Sequence, residues 1–466
     1  MPAIHKPHLH RLIHAAILLT FLLIPVWIRL PQSPLFAPLY VTRFLIFLPM
    51  LLAISLWLML GLPGLRDFMC SRSRVLWALA LLLLALWAFA SQIWAFQRAA
   101  YPEIASSSSL QLAVSVLFVL VVACVAPPPR AIVALLVCSL IINAFIVILQ
   151  AYHQAWLGLI FLGEFPYTLD TPGVSILQSG SLRWVRPYGL LPHPNLAAGA
   201  LLVGTLAASA WLLSPHRWQR IAGIIIVALG WWALLFAFSR AAWGGLVVGG
   251  LVLLLFLRPH LRQVSIRLSL AVAAGMALAI GLAFLVGYQP LLAARGGEGQ
   301  ESIELRSVSD RIVFIDFALR SFGERPILGV GIGNFPWRTS YYIAETFYDL
   351  RGDNVHFVLL AAAAELGIVG LALLLLAILS GLVAAIKRLR ASAADQDRAA
   401  RLALFAVFVA LLAVGVLDHY PWSQIHFQVA WWGCLAAALA APAATPRFHY
   451  NQGQVREGSR ANEIQA

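Results

Sequence analysis

The segment Asp353-Asn354-Val355-His356 runs into a long apolar stretch in which Glu365, Gly367 and Gly370 follow. An unperturbed histidine titrates near neutral pH, so His356 is a candidate general base. At about 100° per residue, an unbroken helix sets Gly367 about 20° from His356 and Gly370 about 40° the other way, with Glu365 about 180° off. One face then carries the histidine with two glycines below it, which leaves room for a neighbouring helix or a lipid chain. The plainer readings are a polar helix end for His356 and a structural hydrogen bond for Glu365.

Arginines supply the second kind of chemistry, recognition of an anion such as a phosphate. Arg183-Trp-Val-Arg186-Pro-Tyr-Gly precedes His193-Pro-Asn195. Both arginines also suit interfacial anchoring beside Trp184 and Tyr188. Arg240, in Phe238-Ser239-Arg240, stands between two apolar runs joined by almost no loop. A charge so close to lipid is costly and is a functional candidate, with snorkelling into headgroups as the alternative. Ser309-Asp310-Arg311 is expected to open an amphipathic helix capped by Ser309 and running to about Phe322. Ile312, Ile315, Leu319 and Phe322 fall on one of its faces, and Gly323 and Pro326 end it. The run Leu328-Gly-Val-Gly331-Ile-Gly-Asn334-Phe335 alternates glycines. It fits neither a P-loop nor a dinucleotide fingerprint. Its backbone N–H groups can form an anion nest, or the glycines simply permit a tight loop.

These residues must be positioned by elements that lie in a bilayer. Of the 466 residues 61% are hydrophobic and 11% charged, against about 25% charged in a soluble domain. Twelve apolar runs are long enough to span: 12–30, 41–62, 75–95, 110–126, 131–150, 196–213, 221–238, 241–257, 268–287, 357–385, 402–417 and 424–441. Lys and Arg collect in alternate short loops, from Lys6 and Arg11 through Arg66, Arg130, Arg217 and Arg258 to Lys387 and Arg401. The positive-inside rule then makes both termini cytoplasmic. The long polar segments 151–195 and 288–356 fall on the opposite face, and 442–466 is a cytoplasmic tail. The expected fold is a single all-α integral membrane domain of about twelve spans, with a large, partly helical outer loop between the ninth and tenth.

The formal net charge of +13 does not indicate nucleic acid, because the cations are scattered through loops rather than gathered in a stripe. Cys70, Cys124, Cys138 and Cys434 imply no disulfide framework. No Cys/His cluster has zinc spacing, and no dense carboxylate cluster signals a divalent-cation site, so neither metal nor cofactor is expected.

In four segments the chain resembles the O-antigen ligase and Wzy-type polymerase superfamily of bacterial surface-polysaccharide enzymes. They are Arg186-Pro-Tyr-Gly with His193-Pro-Asn195; Ser239-Arg240; Ser309-Asp310-Arg311 leading to Gly331 and Asn334; and His356 with Gly367 and Gly370 at the family's spacing. Phe357 stands where the ligase pattern has an amide or hydroxyl residue. The resemblance covers roughly 180–380. It implies a GT-C-like membrane enzyme of the bacterial inner membrane that moves a glycan from a polyprenyl-diphosphate carrier to a glycolipid or glycan acceptor hydroxyl on the non-cytoplasmic face. It further implies an inverting, metal-free reaction. His356 would be the base and Arg240 and Arg311 the catalytic cations. Arg186, Arg183, Asn195, Gly331 and Asn334 would hold the diphosphate or glycan, and Gly367, Gly370 and Glu365 would border the lipid groove. Trp337, Tyr341, Tyr342 and Tyr348 suit sugar stacking or an interfacial belt. A polymerase with the same chemistry, a lipid or polysaccharide flippase, and a non-catalytic binding protein are the alternatives.

Overall fold

The computed structural model describes residues 6–29, 44–95, 100–258, 260–296, 303–345, 352–391 and 397–440. The expected tail 442–466, Tyr348 and the start of the second apolar run lie outside them.

Chain order gives α1 (Lys6–Leu22), α2 (Phe47–Met59), the short α3 (Leu65–Met69), α4 (Arg72–Ala90), α5 (Pro102–Val125) and α6 (Pro129–His153). A hairpin of β1 (Ile176–Ser179) and β2 (Leu182–Val185) follows. Then come α7 (Pro194–Leu212), α8 (Arg217–Phe236), α9 (Arg240–Phe256) and α10 (Val264–Gly287). The large loop holds α11 (Gln289–Gly296), α12 (Ile303–Glu324) and α13 (Phe335–Ala344). The chain closes with α14 (Val358–Ala391), α15 (Arg398–Val414), the single turn α16 (Tyr420–Ser423) and α17 (Ile425–Leu439).

Proline at the first turn of α5, α6 and α7 fixes φ where no intrahelical N–H bond is lost. Among the described residues seven helices are long and apolar enough to cross a membrane: Arg72–Ile93, α5, α6, α7, α8, α10 and α14. Four shorter apolar helices, His8–Leu22, Phe47–Met59, Arg240–Phe256 and Ile425–Leu439, coincide with other expected spans. The central helix is α7, 89% of whose most apolar window is buried, whereas α10 at the edge is only 11% buried. Exposed Leu268, Leu278, Leu282 and Val286 make α10 a helix whose natural solvent is lipid.

The tenth expected span is not one continuous helix. Gly367, inside α14, has φ 66° and ψ −167°, a conformation open to glycine and costly for other residues. The break frees backbone groups, and the alternating-glycine loop takes them up. Val330 N–H donates to the Ala364 carbonyl at 3.0 Å, and Gly331 N–H to that of Glu365 at 2.8 Å. The Trp87 indole donates to the Leu366 carbonyl at 2.9 Å, and Ile368 N–H to that of Pro326 at 2.7 Å. A side chain on Gly367 would overlap the Ile327 carbonyl, and one on Gly329 would overlap the backbone of Glu365. The glycines of both segments therefore exist for this backbone-to-backbone contact, which satisfies a broken helix where water is scarce.

The amphipathic helix α12 begins before Ser309, so Ser309 lies within it and does not cap it. Phe314, Phe317, Ala318 and Ser321 turn inward, while Ile312, Ile315 and Leu319 are 40–63% exposed. The periodicity thus located an apolar face correctly as a helical stripe, but a second stripe makes the protein contact. Arg320 bonds Glu345 of the α13 end at 2.8 Å and lies 4.3 Å from the Tyr342 ring centre, and Arg338 pairs with Glu324. These contacts pin α12 to α13.

Candidate active site

Three chain breaks between helices meet at one end of the bundle. At the first, α8 ends at Phe236 and α9 starts at Arg240, with Phe238 at φ 47°. The carbonyls left over at the end of α8 need donors. Arg186 Nε donates to the Ala237 carbonyl at 2.9 Å, and Arg295 Nε to that of Phe238 at 2.9 Å. Two buried guanidiniums therefore hold the turn that aims Arg240.

The second break is the start of α7. His193 Nδ1 accepts the Asn195 backbone N–H at 3.1 Å, which caps the helix. The Asn195 side chain then works in both directions: its Oδ1 accepts from Arg186 Nη2 at 2.6 Å, and its Nδ2 donates to Asp418 Oδ2 at 2.8 Å.

The third break lies between α15 and α16, opposite the start of α14. Val358 N–H donates to the Gly415 carbonyl at 2.7 Å, which ties His356 to the segment carrying Asp418 and His419. The His356 and His419 rings meet edge to face with centres 5.2 Å apart. His419 Nδ1 bonds Ser423 Oγ at 2.8 Å, and its Nε2 lies 3.8 Å from Asp353.

Beside this junction is a cavity of about 320 Å³ lined by Asn195, Ser239, Arg240, Ala241, Arg295, Arg311, Ile312 and Leu417. Three arginines and no acid face it. Arg311 Nε and Ser239 Oγ are buried there without a hydrogen-bond partner. Such a cavity is built for an anion with several acceptor oxygens.

Electrostatics set the protonation states. Burial lowers the His356 pKa, and His419 and Arg311 push the same way, against Asp418 and Asp353. His356 is thus the neutral base form at neutral pH, and its Nδ1 has no partner. Burial alone would raise Asp418, but His419, His356, His193 and Arg311 outweigh it and hold the carboxylate below its ordinary value. His193 is lowered to about 4 by burial and by Arg186.

Arg240, Arg311 and Asn195 thus share one cavity, and His356 senses the Arg311 charge. Arg186 is 4% exposed and bonds Ala237, Ser175 and Asn195. It shapes the cavity wall without lining it. Arg183 sits on β2, 3.7 Å from Asp170, and is not among the residues that line the cavity.

Gly331 and Asn334 are also elsewhere. Asn334 clasps both backbone groups of Tyr101, at 2.7 and 3.1 Å. The single face joining His356, Gly367 and Gly370 does not form, because His356 precedes α14 and the break at Gly367 resets the helical phase. Gly367 faces the 326–328 loop backbone, and Gly370 packs against Leu366, so neither borders a lipid groove. Glu365 accepts the Trp422 indole N–H at 2.8 Å, which satisfies one of its oxygens.

Arg295, Asp418 and His419 escaped the sequence reading. Arg295 is a lone cation in a short apolar helix. Asp418-His419 sits in a brief turn between apolar runs, where its local signal is that of any loop. Asp353, His356 and His419 each bring one ligand atom within 4.8 Å of the others, a trio able to hold a metal ion that the sequence did not lead us to expect.

No curated protein matches the chain. Over residues 225–375, less than half of its length, the chain is similar to the O-antigen ligase family, and that stretch contains Arg240, Arg311 and His356.

Proposed function

We propose that the protein transfers a glycan from a polyprenyl-diphosphate carrier to an acceptor hydroxyl, as a ligase, at the junction of α7, α9, α12 and α14. The observation that carries this reading is the arginine-lined cavity beside a neutral, partly buried histidine. Departure of the carrier diphosphate builds negative charge, which Arg240 and Arg311 stabilise through charge-assisted hydrogen bonds. Arg295 adds to the positive field and fixes Arg240 through its carbonyl, 3.2 Å from Arg240 Nη1. His356 takes the proton of the attacking hydroxyl, and the Asp418 and Asp353 carboxylates steady the resulting imidazolium. Direct attack inverts the anomeric carbon. The Arg311 charge opposes a cation at the Asp353, His356 and His419 trio, so the reaction is proposed to run without metal.

The carrier's tail needs an apolar path. A cleft of about 810 Å³ opens between α7, α8, α9 and α10, lined by Leu206, Trp231, Leu246, Leu254 and Leu270 among others. Arg240 stands at the head of α9, whose lower turns form one wall of this cleft. In this reading the chain crosses the bacterial inner membrane about twelve times with cytoplasmic termini, and both the junction and the loop containing α11 to α13 lie on the other side. The positive-inside pattern supports that orientation.

The test is transfer by purified protein given a polyprenyl-diphosphate-linked glycan. His356→Ala is expected to lower the rate about 10²–10⁴-fold, and Arg240→Ala about 10²–10³-fold, while both variants insert normally. Full activity in both would sink the mechanism. A product ladder formed without added acceptor would favour polymerase over ligase.

A further inference from the structure

A second cavity shares the segment after α15 with the first. It has about 390 Å³ and draws its walls from Trp27, Arg29 and Phe44 between α1 and α2, from α5, from the loop into α13 and its first turn, and from α14, α16 and α17. The segment after α15 connects the two cavities: Leu417 lines the arginine cavity, Asp418 and His419 stand between, and Ser423 lines the second. Ser423 Oγ is the atom bonded to His419 Nδ1. Asn354, two residues before His356, also lines it.

The two cavities have opposite chemistry. The first offers cations. In the second, two buried acceptors lie in the wall: Asn354 Oδ1, which has no hydrogen-bond partner, and the Glu365 carboxylate, held by the Trp422 indole and close to the backbone N–H groups of Gly333 and Phe335; their residues are 5% and 1% exposed. Unpartnered buried acceptors are costly and ask for O–H or N–H donors. Trp337, 48% exposed and edge to face with Tyr101 at 5.6 Å, and exposed Arg29 stand at the rim, and the exposed part of the Trp337 ring offers apolar surface to the C–H face of a sugar. The volume falls in the range of small-molecule sites, about 300–1,000 Å³.

We propose that this cavity binds the terminal, uncharged monosaccharide of the acceptor glycan, its hydroxyls donating to Glu365 and Asn354 and its ring lying against Trp337. The assignment rests on the glycan-transfer reading for its role but not for its ligand. It gives the reaction two entrances, an anionic donor from one side and a hydroxyl-rich acceptor from the other, meeting at His356.

Binding is measured on the full chain in nanodiscs by saturation-transfer NMR with a panel of methyl hexosides and methyl N-acetylhexosaminides. At least one is expected to receive saturation from the wild-type protein. The signal should fall about five- to tenfold in Asn354→Ala, which removes an oxygen without a protein partner, and in the rim variant Trp337→Ala. It should persist in Arg240→Ala. In transfer assays, Asn354→Ala should raise the KM for acceptor about tenfold and leave the KM for donor within about twofold. The proposal is overturned if no sugar binds, if Arg240→Ala removes the signal as fully as Asn354→Ala, or if Asn354→Ala raises the donor KM alone. Sugar binding without any transfer by the wild type would defeat the enzyme reading and leave the cavity assignment standing.

Discussion

Asn195 joins Arg186 to Asp418: its side-chain oxygen accepts a hydrogen bond from the arginine and its amide N–H donates one to the carboxylate. The amide orients Asp418 toward the histidine pair without neutralising it. Through this link the hairpin loop, α7 and the turn after α15 act as one support for His356.

The pH dependence of transfer follows from that support. His356 must be neutral to accept a proton, and its pKa lies below the ordinary 6.5. Activity should therefore rise with pH, with a midpoint under 6.5, and be flat through neutrality. Asp418 raises the proton affinity of His356. Asp418→Asn keeps a hydrogen-bond acceptor for Asn195 and removes the charge, so the midpoint should move further down. A pH–rate profile that shifts upward would contradict the assignment.

Arg186 is a structural cation on this geometry. Arg186→Met strands the Ala237 carbonyl and the Asn195 oxygen, and should cost about 2 kcal/mol or more. A clear fall in the melting temperature, with donor affinity lost only as a consequence, is the expected result. An unchanged melting temperature with a raised donor KM would instead make Arg186 a direct phosphate ligand.

The apolar cleft is tested at Gly250, where a Cβ would meet nothing within 4 Å. Gly250 lines the cleft, so Gly250→Trp places an indole in it. The KM for a long-chain polyprenyl donor should rise about tenfold or more, and that for a short-chain analogue much less. Equal effects on both would place the tail elsewhere.

Gly367 is expected to tolerate no side chain. Gly367→Ala meets both the positive φ and the Ile327 carbonyl, at a cost of about 1–3 kcal/mol. Gly370→Ala meets the Leu366 Cβ, but Gly370 has no positive φ to strain, so it should be the milder of the two. Thermal unfolding of the two variants checks the order. The reverse order would mean that the break in α14 is not what Gly367 is there for.

Much of the bilayer architecture was legible in the sequence because apolar run length and loop charge are local quantities, and each expected span overlaps a helix among the described residues. His356, Arg240 and Arg311 could likewise be singled out by type and position. The grouping could not. Arg240 and Arg311 are 71 residues apart in the chain, and only the tertiary fold, which sets the start of α9 beside Arg295 of α11, brings them to one cavity. The helical face expected for His356, Gly367 and Gly370 failed because a wheel assumes regular dihedrals throughout, whereas His356 precedes α14 and Gly367 departs from them to dock the alternating-glycine loop. Asp418 and His419 had no periodicity or motif to mark them. Sequence alone determined that the chain belongs in lipid and which side chains are chemically able. The tertiary structure decided which of them act together, because hydrogen bonds such as Asn195 to Asp418 link residues 223 apart and no local pattern encodes such distances.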